Sequence, residues 1–276
     1  MPARTRTIAA WDSLALCVHE WGEAGQAPAL LCLPGLARTG GDFADLAARH
    51  APRRRVVALD YAGRGGSGRA PDPARYAPEA CLRDIMDVCA ALHVHRAMVV
   101  GTSIGGVLAM ALAAARPALL AGVVLNDIGP EIGSQGLEAV RRHVGTDPAL
   151  AGLDEAVAHL RAHLPDLALS DDEEWRHFAG LTYAAGPDGR WHPRWDTAIA
   201  RLLGAAAPDL WPLFGALAAV PVLLVHGLRS RILTQAIVAR MRAVRPDMAY
   251  VAVPGTGHAP TLGEPAVAAA MDAFLA

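Results

Sequence analysis

Several things are scarce in this 276-residue sequence, and each scarcity excludes something. Cysteine occurs only at Cys17, Cys32, Cys81 and Cys89, never in CxxC spacing, so no thiol redox motif or cysteine metal knuckle is expected. Cys81 and Cys89 fall on one expected helix, too far apart to bridge easily, so the thiols read as reduced and structural in a cytoplasmic chain. Net charge is nearly absent, at -2, which gives no reason to expect a nucleic acid or an anionic membrane surface as partner. Long apolar runs are missing too. The longest, "IGGVLAMALAAA", is too short to span a bilayer, and Gly105 and Gly106 at its start suggest tight packing instead. The basic opening "MPARTRTIAAWDS" has no apolar segment of the secretory kind, and there is no internal repeat or low-complexity linker.

What is present is a globular composition, 53% hydrophobic and 19% charged, which favours small-molecule chemistry. Short apolar runs bounded by glycine and proline recur: "LALCVHEWG", "PALLCLPG", "RVVALDYAG", "AMVVGTS", "LAGVVLNDIGP", "PVLLVHG" and "AYVAVPGTGH". Runs so continuously apolar, with helix-like segments between most of them, predict an α/β fold whose mainly parallel sheet is covered on both faces. "RTIAAW" and "LALCVHEWG", joined by a short turn at Asp12 and Ser13, predict an antiparallel start. Crossover helices are expected over Gly41–Arg49, Pro78–Leu92, Ile104–Arg116, Thr234–Val244 and Pro260–Leu275.

That rhythm breaks between "LNDIGPE" and "PVLLVHG". The gap is too long for a loop and carries amphipathic patterns such as "GLDEAVAHLRAHL" and "SDDEEWRHFAGLTYA". The expected organisation is therefore a core of residues 1–130 and 208–276 with a helical cap, 131–207, over the C-terminal edge of the sheet, where α/β proteins bind ligands.

The chemistry centres on "VVGTSIGG". Gly101-Thr102-Ser103-Ile104-Gly105 is a G-x-S-x-G between a strand and a helix, the sharp turn that exposes a nucleophilic serine at a helix N-terminus. His258, in "VPGTGHAPTLGEP", lies between the last strand and the last helix, where an imidazole would serve as base and then acid toward Ser103. Oxyanion donors are expected from the backbone N–H of Ile104 and, in "CLPGLART", of Leu36. Arg38 is a candidate for a substrate carboxylate or lactone oxygen, with a solvent-facing arginine the alternative. Of Trp175, Trp191, Trp195 and Trp211, most read as core and Trp195 as a pocket candidate.

The motifs "LPGLARTGGDF", "DYAGRGGSG", "VVGTSIGG", "VVLNDIGPEI" and "GTGHAPTL" together resemble the α/β-hydrolase fold superfamily, in particular its capped esterases and enol-lactonase-like serine hydrolases. The resemblance covers nearly the whole chain outside the cap. It implies a serine hydrolase with no cofactor and no metal, acting on a small carboxylic ester or lactone as a monomer or homodimer. Where relatives often read His-Gly, this chain has Pro34-Gly35, which keeps a backbone donor and removes a side chain.

Relatives also commonly place the triad acid in the loop after the strand matching "PVLLVHG", and there this chain has Ser230-Arg231. Arginine cannot accept a hydrogen bond from the histidine, and its charge would disfavour the imidazolium. Asp127 ends the preceding strand, from which some members supply their acid; it would serve as the acid or else form a turn before Gly129-Pro130. If it does not serve, the triad is incomplete and a weakened hydrolase-fold ligand-binding protein is the alternative. Carbon–carbon bond hydrolysis or acyl transfer on the same fold also stays open.

Other signals are discounted. "GRGGSG", Gly63–Gly68, matches a dinucleotide pattern but runs into Pro71, Pro73 and Pro78 instead of a helix. His159 and His163 have metal-pair spacing without a third ligand and read as a solvated helix face; His93 and His95 also read as surface. "PRRR", Pro52–Arg55, reads as a solvated turn.

Overall fold

The computed structural model describes residues 3–204 and 208–276. Among the described residues, eight strands form the main sheet. β1 (Arg4–Ala9) and β2 (Ala15–Trp21) make an antiparallel pair, as expected from their short turn. β2 runs antiparallel to β4 (Val56–Leu59); β4 then pairs in parallel with β3 (Ala29–Leu33), and the parallel ladder continues through β5 (Ala97–Thr102) and β6 (Leu120–Asn126). A second hairpin, β7 (Tyr183–Ala185) and β8 (Trp191–Pro193), lies outside that sheet. β9 (Val222–Gly227) and β10 (Ala249–Val253) complete the order β1-β2-β4-β3-β5-β6-β9-β10.

Two-residue alternation explains why these strands read as unbroken apolar runs. Leu31 and Leu33 of β3, Val99 of β5, Val123 and Leu125 of β6 and Leu224 of β9 pack into one core. Leu30, Cys32, Met98, Val100, Val124, Leu223 and Val225, the intervening residues, pack into a second core on the opposite face. The first face is covered by α2 (Pro78–Ala91), α3 (Ile104–Ala115) and α8 (Gln235–Val244). The other is covered by α1 (Ala44–His50) and α9 (Pro265–Phe274). Each fully buried leucine contributes about 1.5–3 kcal/mol, so Leu108 and Leu112 hold α3 against the sheet directly behind the serine turn. α9 begins five residues later than the run from Pro260 suggests, because Pro265 takes the first helical turn, where its missing N–H costs nothing.

Between β6 and β9 lie α4 (Ser134–Val144), α5 (Leu153–His163), α6 (Asp172–Thr182), the β7–β8 hairpin and α7 (Trp211–Gly215). The hairpin departs from the all-helical expectation: its three-residue strands are too short for alternation to show, and Gly189, at φ +78, makes the turn. The segment docks on the glycine-rich loop after β4. Gly65 N donates to Arg194 O at 2.7 Å, Asp196 N to Gly63 O at 2.7 Å, and Tyr76 Oη to Asp196 Oδ2 at 2.8 Å. The expected boundary at 207/208 lies outside the described residues. Among the described residues no helix is long and apolar enough to cross a membrane. The four cysteines are free and buried.

Candidate active site

Sequence-adjacent glycines make the serine turn possible. A Cβ on Gly101 would run into Gly105 O, and one on Gly105 into Leu33 O. Packed this closely, Ser103 is held at φ 55, ψ -121, a region that non-glycine residues rarely adopt, at the N-terminus of α3. Ser103 N donates to Asn126 O at 3.1 Å, which ties the turn to the end of β6.

Three side chains from three strand ends meet there. Ser103 Oγ lies 2.9 Å from His258 Nε2, and His258 Nδ1 lies 2.8 Å from Asp127 Oδ2. Asp127 is fully buried, and its second oxygen, Oδ1, accepts from Gly227 N at 2.9 Å. A buried carboxylate with both oxygens occupied presents a fixed acceptor to the imidazole. Its backbone, at φ 55, turns the side chain back toward β9, a conformation that aspartate tolerates better than most residues. Of the two roles open to Asp127, the geometry has it facing His258.

Asn126, which sequence reasoning missed, anchors the histidine loop. Its Nδ2 donates to Pro260 O at 2.9 Å and to Thr102 Oγ1 at 3.1 Å. The only hint in the chain is a polar residue ending an apolar strand.

A cavity of about 1440 Å³ opens over this cluster, lined by Pro34, Leu36, Ser103 and His258 together with residues of α4, α5 and α6. Among the described residues the amides of Leu36 and Ile104 donate to no protein acceptor, as oxyanion donors require, although Ile104 is not itself a lining residue.

Arg38 lines the cavity, but its guanidinium is already engaged. It grips Asp42 through Nε and Nη2, both at 2.6 Å, donates through Nη1 to Thr182 Oγ1, and stacks 4.0 Å over the Phe178 ring. These contacts make it a brace between the Leu36 loop and α6, a role outside both expected readings, the substrate contact and the solvent-facing side chain. Trp195 also departs from expectation. It is 2% exposed, its Nε1 donates to Val144 O at 2.9 Å, its ring packs near Tyr183 and His143, and it is not a lining residue. A large ring with one donor found a core partner. His159 and His163, expected on a solvated face, stack at 4.0 Å between ring centroids and line the cavity. His143 joins them there; burial, helped by the nearby Arg38 charge, pushes it down to about 4, so it is neutral at pH 7.

Arg231 is exposed and lines the cavity wall, and makes no hydrogen bond to His258. The glycine-rich loop "GRGGSG" wraps a buried carboxylate. Asp60 Oδ1 accepts from Gly40 N at 2.6 Å and Oδ2 from Gly66 N at 2.9 Å, so the loop after β4 and the loop carrying Leu36 share one anchor. Cys17, His19 and Asp60 bring potential metal ligands within 4.8 Å of one another, but the Asp60 oxygens already accept backbone N–H groups and His19 Nε2 sits 3.3 Å from Oδ2. Hydrogen bonding satisfies that group without an ion.

Comparison with known proteins places these features in a family. Residues 30–271 match the model described as the alpha/beta hydrolase family. The chain is 32% identical over 270 residues to a 3-hydroxybutyrate-oligomer hydrolase of Cupriavidus necator, covering 94% of this chain and 92% of the relative. It is 29% identical over 238 residues to a 2-(acetamidomethylene)succinate hydrolase of Mesorhizobium japonicum, covering 86% and 83%. A crystal structure of an alpha/beta hydrolase from Novosphingobium aromaticivorans superposes with a TM-score of 0.94 at 38% identity, covering 100% of this chain and 99% of that one. With its mostly parallel eight-stranded sheet and a match over most of its length, this chain belongs to the alpha/beta hydrolase family and is a hydrolase of that fold.

Proposed function

We propose that the chain is a serine ester hydrolase working through an acyl-enzyme, with Ser103 as nucleophile, His258 as base and then acid, and Asp127 as the orienting acid. The observation that carries this reading is the unbroken line from Ser103 Oγ to His258 Nε2, at 2.9 Å, and from His258 Nδ1 to Asp127 Oδ2, at 2.8 Å. With Nδ1–H donating to Asp127, Nε2 is left as the acceptor for the serine proton.

Ser103 Oγ attacks the ester carbonyl while its proton passes to His258 Nε2. The oxyanion that forms is held by the Leu36 and Ile104 amides, helped by the positive end of α3. Collapse breaks the C–O bond, and the leaving alkoxide takes the proton from Nε2. Water, deprotonated by the same nitrogen, then attacks the acyl-serine; the bond to Ser103 Oγ breaks, Nε2 returns its proton to that oxygen, and the acid is released. The residues over the sheet, 131–207, act in this reading as a cap that encloses the acyl group. The substrate class we put forward is a short ester of a hydroxy acid, in keeping with the name of the Cupriavidus relative.

The test is pre-steady-state hydrolysis of a p-nitrophenyl ester, with active-site labelling by a phosphonate. A burst of one p-nitrophenolate per chain, with the label on Ser103 by mass spectrometry, is the expected outcome. Linear release and a label elsewhere would overturn it.

A further inference from the structure

All 25 basic side chains of this protein are arginine; there is no lysine. Five of the arginines, Arg38, Arg49, Arg142, Arg229 and Arg231, line the cavity over Ser103. Three of these are matched by acids: Arg38 by Asp42 at 2.6 Å, Arg229 by Asp166 at 3.6 Å, and Arg49 by Asp272 at 3.9 Å. Among the described residues Arg142 and Arg231 have no acidic partner. Several acids of the lining are themselves engaged: Asp171 Oδ1 accepts from Glu174 N, and Glu264 Oε1 from Thr261 N. The lining also holds Asp45 and Glu173, but none of its acids pairs with either arginine, so among the described residues two guanidinium groups of the cavity wall stand without a carboxylate of the protein's own.

Of the two, Arg231 has the better-built seat. Its loop begins at Gly227, whose amide holds Asp127 Oδ1, and Arg229 N donates to Thr256 O at 2.8 Å, two residues before His258. Ser230 Oγ accepts from Ile232 N at 3.2 Å and Leu233 N at 3.1 Å, and Ile232 and Leu233 are buried at 5% and 0% exposure. The Arg231 carbonyl packs so tightly on Gly133 and Gly136 that a Cβ at either would collide with it. The backbone is fixed from three sides while the side chain stays exposed to the cavity. A guanidinium held this way offers a planar fork matched to a carboxylate.

We propose that Arg231 is a specificity-determining residue that binds the free terminal carboxylate of a hydroxy-acid ester, so that the enzyme takes its substrate from the acid end. This rests on the ester-hydrolase reading above. With Asp127 beside His258, position 231 is released from the acid's role, and a substrate carboxylate seated on Arg231 would offset the charge that otherwise disfavours the imidazolium. An anionic oligomer end would be favoured over the same ester with a neutral end.

The test uses the linear dimer of 3-hydroxybutyrate as the free acid and as its terminal amide, with wild type, Arg231→Gln and Arg231→Lys. Hydrolysis is read as kcat and KM, and binding as the Kd of both compounds for the Ser103→Ala protein with and without Arg231→Gln. The expected result is a wild-type preference for the acid that Arg231→Gln cuts by about 10- to 100-fold, mainly through KM, with partial rescue by lysine. Equal effects of Arg231→Gln on acid and amide, or no preference in the wild type, would overturn the proposal and leave the hydrolase reading standing. If no ester is cleaved but Ser103→Ala binds the acid in an Arg231-dependent way, the carboxylate site stands and the hydrolase reading falls. Absence of both turnover and binding overturns both.

Discussion

Two buried aspartates close strands of the same sheet, and each meets a histidine. At the end of β6, Asp127 faces His258, and beyond it lies the hydroxyl of Ser103. After β4, Asp60 faces His19, and beyond that lies the thiol of Cys17, 3.9 Å from the same ring nitrogen. Both groups hold a nucleophilic atom, an imidazole and a carboxylate, yet only the first has the form of a relay. His258 uses one nitrogen for the acid and the other for the nucleophile, so a proton arriving at Nε2 is stabilised through Nδ1. His19 turns Nε2 toward both partners, and the Asp60 oxygens also bind Gly40 and Gly66 amides. Ser103 lines the cavity, whereas Cys17 is 8% exposed and is not a lining residue. Composition does not distinguish a reaction site from a brace; which nitrogen faces which partner, and whether the nucleophile is open, does.

The contrast is broken most forcefully at the nucleophiles. Ser103→Ala is expected to lower kcat on a short chromogenic ester by about 10⁶-fold, whereas Cys17→Ser should leave it little changed. Loss of turnover in the cysteine variant, with its fold intact by circular dichroism, would put chemistry in the wrong group. The carboxylates sharpen the comparison next. Asp60→Ala removes an acceptor from two backbone amides and a histidine, and should cost about 3 kcal/mol in denaturant unfolding. The smallest effect is a pH dependence. The hydrogen bond to Asp60, then that to Cys17, raises His19 to about 10 from its ordinary value of 6.5. A raised histidine contributes its full stabilisation below pH 6.5 and loses it as pH climbs through 10. Stability should therefore decline across that window, and His19→Gln should flatten the decline in urea titrations at successive pH values.

Much of this was legible in the residues themselves. The parallel sheet showed in strands with two buried faces, and the serine turn in glycines whose missing Cβ atoms the structure explains. What stayed hidden depends on contacts between distant parts of the chain. Asn126 is 134 residues from Pro260, and Arg38 is 144 from Thr182; no local pattern marks either pair. Arg38 looked available because a loop sets no regular geometry between it and Asp42 four residues on, and Phe178 and Thr182 close on it only in the fold. The same holds for His143 and the stacked His159 and His163, whose place at the cavity follows from how α4 and α5 pack. Asp127 and Arg231 lie between these cases. Strand ends announce themselves, and Arg231 visibly leaves one of them without a carboxylate, but whether Asp127 faces inward or only forms a turn is set by backbone conformation, here φ 55.

The most direct test compares Asp127→Asn with Arg231→Asp on one p-nitrophenyl ester. If Asp127 orients His258, Asp127→Asn lowers kcat by about 10⁴-fold. Arg231→Asp then changes it by less than about tenfold, the scale of an exposed charge change. A rise of several orders of magnitude in Arg231→Asp, with Asp127→Asn nearly as active as wild type, would contradict the assignment and return the acid to the loop after β9.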